Sequence, residues 1–254
     1  MDIGESRVGL LKTTLVNFPG KLATAVFLPG CNLRCGYCYN GELACADVFG
    51  QTLVNSENEY ICLSEVFEHL KKRRKLLDSL VISGGEPTIS PLLQELLRVA
   101  CSLEYSVKLD TNGLFPEKLE TIFKADTSSC ITFVALDIKT APTRYQELLP
   151  SSERGFCVDL SERLQKTVHL LSRFEIEKDL KVEYRTVLVP SLVGSDEIES
   201  IARLLPEHAD WKWARFVPTH CLDPRFTNST PYTEDELLCL LQHAKQIIKN
   251  VSLR

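Results

Sequence analysis

The sequence predicts an α/β protein built on parallel strands, and three observations carry that expectation. Short runs rich in branched and aromatic residues alternate with amphipathic stretches along the chain, the pattern of strand–helix–strand crossovers. The runs are near-continuously apolar, as in strands covered on both faces, and do not alternate residue by residue. Glycine and charged residues cluster where the runs end, which is where chemistry gathers in parallel-strand folds.

Taken in order, the strands fall at residues 23–28 (ATAVFL), 79–83 (SLVIS), 106–110 (SVKLD), 132–138 (TFVALDI), 181–189 (KVEYRTVLV) and 212–217 (KWARFV). Each is closed by Gly, Pro, Asp or Asn. Helical spacing of Val66, Phe67, Leu70 and Leu77 predicts a helix over 64–77. A second helix covers 91–101, with Pro91 at its first position and Ser90 as its cap. Further helices fit 117–124, 161–174, 196–205 and 233–250. The last opens on the capping box Thr233-Glu234-Asp235-Glu236. Trp211 and Trp213 alternate in the final strand and read as packing residues.

At 254 residues, with 44% hydrophobic and 25% charged, the composition supports a sizeable core and excludes disorder, collagen and coiled coil. No linker or low-complexity tract interrupts it, so a single domain over 1–254 is expected. The formal charge of -5 gives no support to bulk electrostatic binding of nucleic acid. The run Lys71-Lys72-Arg73-Arg74-Lys75 has two readings, a solvated helix face or a docking patch for an acidic partner. No apolar run approaches the roughly 18 residues that a membrane span needs. The opening residues lack the layout of a secretory signal. The expectation is a soluble, cytoplasmic protein that binds neither nucleic acid nor membrane.

Ten cysteines are many for this length, and in a reducing compartment they serve as ligands or buried thiols. Cys45, Cys62, Cys101, Cys130, Cys157, Cys221 and Cys239 are scattered and read as small buried hydrophobes. Cys45, closest to the cluster, is the least typical. Cys31, Cys35 and Cys38 are different: they form C-x3-C-x2-C in a loop, 30–40, directly after a strand. Thiolates bind zinc or iron–sulfur clusters, and a structural zinc site is closed by four ligands, commonly from two knuckles. No second knuckle exists here, so zinc would have to recruit Cys45 or a remote residue. Three thiols suit a [4Fe–4S] cube whose fourth iron stays open as a substrate position. The lack of further C-x2-C pairs counts against auxiliary clusters.

This loop, with Asn17-Phe18-Pro19-Gly20 ahead of it and Tyr39-Asn40 behind, resembles that of the radical S-adenosylmethionine (SAM) enzymes. Within these it looks like the activating enzymes of glycyl-radical proteins. Residues 17–43 and 216–226 are most similar to the activator of anaerobic ribonucleoside-triphosphate reductase, and the resemblance runs from about Val8 to Asn250. One departure is Tyr39, which stands where many activators carry His; that position is not a cluster ligand.

The resemblance implies a partial (β/α)6 barrel of parallel strands, the radical SAM core. It implies a [4Fe–4S] cluster on Cys31, Cys35 and Cys38, with the amino and carboxylate groups of SAM on the open iron. Tyr37 matches the position near adenine, against a bland reading as core packing, and Tyr39 follows it in the same loop. Gly84, Gly85 and Glu86 match the segment that takes the SAM amino group; glycine permits close backbone approach and Glu86 can hold a positive charge. Asp110 and Asp137, with Lys139 beside them, would organise the polar end of SAM, although an isolated Asp is more often a turn or cap residue. In pyruvate formate-lyase activators the matching Asp pair holds a monovalent cation, and the resemblance extends to this chain the expectation of such a cation near Asp110 and Asp137. Arg185, a charge inside an apolar strand, resembles the arginine that pairs with the SAM carboxylate through its fork. His220 matches a position at the nucleoside end of SAM, and a solvated loop histidine is the rival reading.

The implied activity is the generation of a glycyl radical on a partner polypeptide, with electrons from a low-potential donor of flavodoxin or ferredoxin type. Two alternatives stand beside it. One is a radical SAM enzyme with a small-molecule substrate such as a pterin or deazapurine precursor. The other is a non-catalytic metal-binding scaffold, which would hold zinc without iron or sulfide.

Overall fold

The computed structural model describes residues 3–54, 56, 59–155 and 159–254. They group into two compact units, taken in turn.

The first unit holds the described residues up to Asn32, then Asn40–Thr111 and Glu117–Val134. Its strands are β1 (Arg7–Thr14), β2 (Ala23–Leu28), β3 (Tyr60–Cys62), β4 (Ser79–Gly84), β5 (Ser106–Thr111) and the first part of β6 (Ile131–Asp137). Its helices are α1 (Gly41–Cys45), α2 (Leu63–Arg73), α3 (Leu93–Ser102) and all but the first residue of α4 (Pro116–Lys124). β1 runs antiparallel to both β2 and β3, whereas β2, β4 and β5 are parallel neighbours. Ala25, Val26, Leu80, Val81, Ile82, Val107 and Leu109 are fully buried, which is why these strands read as continuous apolar runs. Val66 and Leu70 of α2 and Leu96, Leu97 and Ala100 of α3 complete that core.

Two strands of this unit escape sequence reading. β1 is edge-like in character: Leu11, Lys12 and Thr13 are exposed while Val8 and Gly9 are buried, so no clean period appears. β3 has only three residues. Helix α3 also starts later than predicted, at Leu93. Ser90 Oγ accepts from Leu92 N at 3.2 Å, so Ser90 caps a turn ahead of the helix. In the basic run, Lys71, Lys72, Arg73 and Lys75 are exposed. Arg74 is anchored, donating to the carbonyls of Leu103 and Glu104 and lying over the Tyr105 ring. The run is the solvated end of α2.

The second unit holds Leu33–Tyr39, Asn112–Pro116 and Ala135–Arg254. It contains the end of β6, then α5 (Leu160–Lys178), β7 (Lys181–Leu188), α6 (Ser195–Leu204), β8 (Asp210–Arg215), α7 (Pro224–Thr227), α8 (Glu234–Lys245) and β9 (Val251–Leu253). β7, β8 and β9 are parallel, and Ile138 N donates to Arg185 O at 2.8 Å where the chain leaves β6. Successive residues of a strand face opposite ways. Trp211 and Trp213 therefore share one face, fully buried with their rings edge to face at 5.1 Å. Arg185 and Lys212, directly opposed in register, share the other.

Two boundaries differ from the sequence expectation here. β8 spans Asp210–Arg215 and does not reach 217, because the Val217 N–H is taken by the Tyr39 hydroxyl at 2.9 Å. The capping box of α8 forms as expected, with Glu236 N donating to Thr233 Oγ1 at 3.3 Å. The helix nevertheless ends at Lys245, and Val251–Leu253 continues as β9 beside β8, where it satisfies an edge that would otherwise be open.

The scattered cysteines are less buried than expected. Cys130 is buried, Cys62, Cys101 and Cys221 are half-buried, and Cys45 and Cys239 are exposed on the outer sides of α1 and α8. Cys157 lies outside the described residues. No disulfide joins any of the described cysteines. Among the described residues no helix is long and apolar enough to cross a membrane.

Candidate functional site

In the first unit, the end of β2 and the start of the cysteine loop are set by glycine. Gly30 adopts φ +82°, and its N–H donates to Leu43 O at 3.0 Å. The Ser83–Pro87 turn packs directly on this segment. Gly85 N donates to Leu28 O at 2.9 Å and Glu86 N to Gly30 O at 2.8 Å. A Cβ on Gly85 would lie 2.0 Å from Gly30 O, and one on Gly84, at φ +125°, 2.2 Å from Leu28 O. Close approach is thus the reason for both glycines, and what approaches is the backbone that carries Cys31.

Glu86 is fully buried. Its Oε1 accepts from Thr88 N at 3.0 Å, Thr88 Oγ1 at 2.5 Å and Thr111 Oγ1 at 2.7 Å. The carboxylate expected to meet a ligand's ammonium therefore also ties the turn after β4 to the end of β5. Asp110, near that end, is ion-paired with Lys108 two residues before it on the same strand face. The Lys108 ammonium also lies 5.9 Å from the centre of the Phe133 ring.

In the second unit, Cys38 N donates to Cys35 O at 3.0 Å, so these two thiols sit on one tight turn. The turn is held from outside by backbone bonds. Arg34 N donates to Leu148 O at 2.7 Å, Asp223 N to Gly36 O at 2.8 Å and Leu222 N to Cys38 O at 3.1 Å. Gly36 has no room for a side chain, since a Cβ would lie 2.3 Å from the Phe226 ring. Tyr37 is buried with its ring 6.2 Å from Phe226. Tyr39 is 44% exposed and reaches back through its hydroxyl to Val217 N. His220 is exposed, in a left-handed turn at φ +53°.

The charged centre of this unit is Asp137. Its Oδ1 accepts from Arg185 Nε at 2.7 Å and its Oδ2 from Lys139 Nζ at 3.3 Å. Burial works to raise the Asp137 pKa, but Arg185 and Lys139 outweigh it and hold the carboxyl at about 2. Asp137 in turn keeps Lys139 firmly charged against its own desolvation. Lys139 N donates to the hydroxyl of the buried Tyr145 at 3.0 Å, which fixes the backbone after β6. Burial pushes the Cys35 thiol up to about 11 while Lys139 pulls it down. A cavity of about 290 Å³ is lined by Tyr37, Asp137, Lys139, Arg185, Lys212 and Arg254. A wider groove of about 840 Å³ runs along Arg34 and Gly36, between Leu148 and Phe226.

Lys108, Tyr145, Lys212 and the 222–226 segment are contributors that site reading of the sequence missed. Lys108 had a signal, since it too is a charge inside an apolar strand. Phe226 closes the 216–226 segment that carries the resemblance, whereas Tyr145 had no signal.

Among the described residues no three His, Cys, Asp or Glu side chains are gathered as a metal cage. The fit for an iron–sulfur cluster rests on the donor set: three thiols, the ligand type such clusters take, on an eight-residue stretch without a fourth.

Parallel strands with a three-thiol loop directly after the first of them define the class of radical enzymes that use SAM. The family model of the Radical SAM superfamily matches residues 25–205, and the chain belongs to that superfamily. Membership implies a [4Fe–4S] cluster and SAM as cofactors. A Methanocaldococcus jannaschii protein provisionally named a glycyl-radical enzyme activating enzyme is 30% identical over 97% of this chain and 94% of its own. The pyruvate formate-lyase-activating enzyme of Clostridium pasteurianum is 26% identical over 82% of this chain and 79% of its own. Among solved structures, Streptococcus suis SuiB bound to its precursor peptide SuiA shares the fold over 94% of this chain, with a TM-score of 0.60 and 17% identity. The chain spans about half the length of SuiB, covering 49% of it.

Proposed function

We propose that this protein is a glycyl-radical enzyme activating enzyme, acting on an anaerobic ribonucleoside-triphosphate reductase. What carries the reading is the three-thiol loop after β2, in a chain similar along nearly its whole length to a relative of that name. When bound, the cluster and SAM would supply one-electron reductive chemistry and the removal of a hydrogen atom from a glycine of the partner. The electron comes from a flavodoxin or ferredoxin type donor.

The chain's own residues would position these groups. Cys31, Cys35 and Cys38 hold the cluster, with Cys31 set by the Gly30–Gly85 backbone contact and Cys35 and Cys38 by their shared turn. Arg185, oriented through Nε by Asp137, presents its guanidinium to the 290 Å³ cavity for the SAM carboxylate. Arg185 and Lys139 both pair with Asp137, which places two positive side chains beside the SAM carboxylate. Buried Tyr37 closes the cavity wall and keeps water from the centre. The Ser83–Pro87 turn, tied down by Glu86, offers backbone groups to the SAM amino end, and His220 takes the nucleoside end.

The test uses cluster-reconstituted, oxygen-free protein with SAM and a strong reductant. Wild type is expected to form 5′-deoxyadenosine, and a glycine-centred paramagnetic signal should appear when the reductase polypeptide is added. Cys35→Ala should give neither. Zinc without iron or sulfide, or product formed only with a pterin or deazapurine precursor, would overturn the proposal.

A further inference from the structure

Cys101 and Cys130 bring two thiols together within the first unit, apart from the three of the cysteine loop. Cys101 stands in the last turn of α3, and Cys130 ends a short 3-10 turn, Asp126–Cys130, directly ahead of β6. Contacts on both sides of the pair lay this turn along the helix end. Cys101 Sγ is 3.5 Å from the hydroxyl of Ser129, the neighbour of Cys130. Cys130 Sγ is 4.0 Å from Leu97 O, and Leu97 lies one helical turn before Cys101 on the same face. The two side chains meet directly, Cys101 being hydrogen-bonded to Cys130. Their surroundings differ. Cys130 is buried and donates to Thr127 O at 3.1 Å, whereas Cys101 is half-buried and open to solvent on one side. Burial and the neighbouring Cys101 push the Cys130 thiol up to about 12, so it stays protonated at neutral pH.

We propose that Cys101 and Cys130 are a modification site, a thiol pair that hydrogen peroxide converts into a reversible disulfide. Cys101, the thiol that solvent reaches, attacks peroxide; the O–O bond breaks, leaving a sulfenic acid on Cys101 and one water. Cys130 then displaces the hydroxyl of that group. The S–S bond forms, the S–O bond breaks, and the Cys130 proton leaves with the hydroxyl as a second water. The pair is oxidised by two electrons and peroxide is reduced by the same two. A buried, protonated thiol is slow against an oxidant in solution, but here the electrophile is generated in contact with it. The bond would tether the end of α3 to the start of β6, and a cross-link of that kind restricts the unfolded chain more than the folded one.

Cluster-loaded protein is freed of reductant under nitrogen, titrated with hydrogen peroxide, alkylated, digested and mapped by mass spectrometry. A peptide pair linked through Cys101 and Cys130 is expected, formed at a rate independent of protein concentration and returned to thiols by dithiothreitol. Cys101 recovered throughout the titration as a thiol, as a sulfinic acid or joined to a different cysteine would overturn the proposal. Cys130→Ser removes the second thiol and keeps a donor for Thr127 O. It should leave Cys101 as a sulfenic acid that dimedone captures; a folded variant without that adduct would overturn Cys101 as the thiol attacked. Peroxide-treated wild type should unfold at a higher urea midpoint than peroxide-treated Cys101→Ser, and dithiothreitol should close the gap. Equal midpoints before reduction would overturn the tether. Should Cys130→Ser not fold, the wild-type map and the midpoints decide alone. Neither cysteine takes part in the activity proposed above, so these results stand whatever becomes of that reading.

Discussion

A side-chain carbon on Gly85 would lie 2.0 Å from the carbonyl oxygen of Gly30, far inside any contact two such atoms tolerate. The turn after β4 and the loop that carries Cys31 are thus in direct backbone contact, fastened by Glu86 N to Gly30 O at 2.8 Å. Gly85→Ala should displace the loop. The expected cost is about 1–3 kcal/mol, as for other overpacked sites. The more telling readout is iron and sulfide per chain after reconstitution, which should fall well below wild type. A full cluster complement in a stable Gly85→Ala protein would show that the contact does not seat the loop.

The Tyr39 hydroxyl accepts from Val217 N at 2.9 Å. Tyr39→Phe removes that acceptor from a half-exposed position, so water can replace it in part. A loss of about 1 kcal/mol in denaturant unfolding is expected, with cluster content unchanged. Loss of the cluster would move Tyr39 from architecture into the site.

Arg185 meets Asp137 through Nε at 2.7 Å and lines the 290 Å³ cavity. Lysine keeps the charge but lacks the fork. Arg185→Lys should weaken SAM binding by about ten- to a hundredfold, the equivalent of about 1.5–3 kcal/mol for a charge-assisted hydrogen bond. Equilibrium dialysis of cluster-loaded protein under anaerobic conditions measures it. Unchanged affinity would remove Arg185 from carboxylate binding.

The Asp137 carboxyl is held at about 2, below the roughly 3.9 of an unfolded aspartate. A depressed folded pKa gives stability that is fully present above the unfolded value and lost as pH falls through the folded one. The contribution of Asp137 should therefore disappear between about pH 4 and pH 2. Urea midpoints across that window should fall less steeply for Asp137→Asn than for wild type. Parallel slopes would mean that Arg185 and Lys139 do not hold the carboxyl down.

The parallel strands were legible because β2, β4, β5 and β7 are buried on both faces, and burial on both faces leaves an unbroken apolar run in the sequence. β1 was not, since Leu11, Lys12 and Thr13 are exposed beside buried neighbours and obey no simple period. The predicted helix ran on to 250 because the residues after Lys245 keep a helix-like mix of Ile, Lys and Asn. β9, the three residues past that end, is too short to read from the sequence, and only the open edge of β8 makes it a strand.

For the site, the cysteine spacing, the glycine pair and the charges at the strand ends are local and could be read directly. What each charge faces is not local. Asp137 and Arg185 are 48 residues apart and meet at 2.7 Å. Lys108 and Asp110 are adjacent enough to have been noticed, yet only burial makes their pair obligatory.

The sequence alone determined the class of fold and the identity of the three thiols, because spacing along a chain is preserved however it folds. It took the tertiary structure to decide that Gly84 and Gly85 receive backbone, that Glu86 is committed to Thr88 and Thr111, and that both aspartates carry lysine. Those outcomes depend on which surfaces are brought together and dried, and a linear pattern holds no record of that.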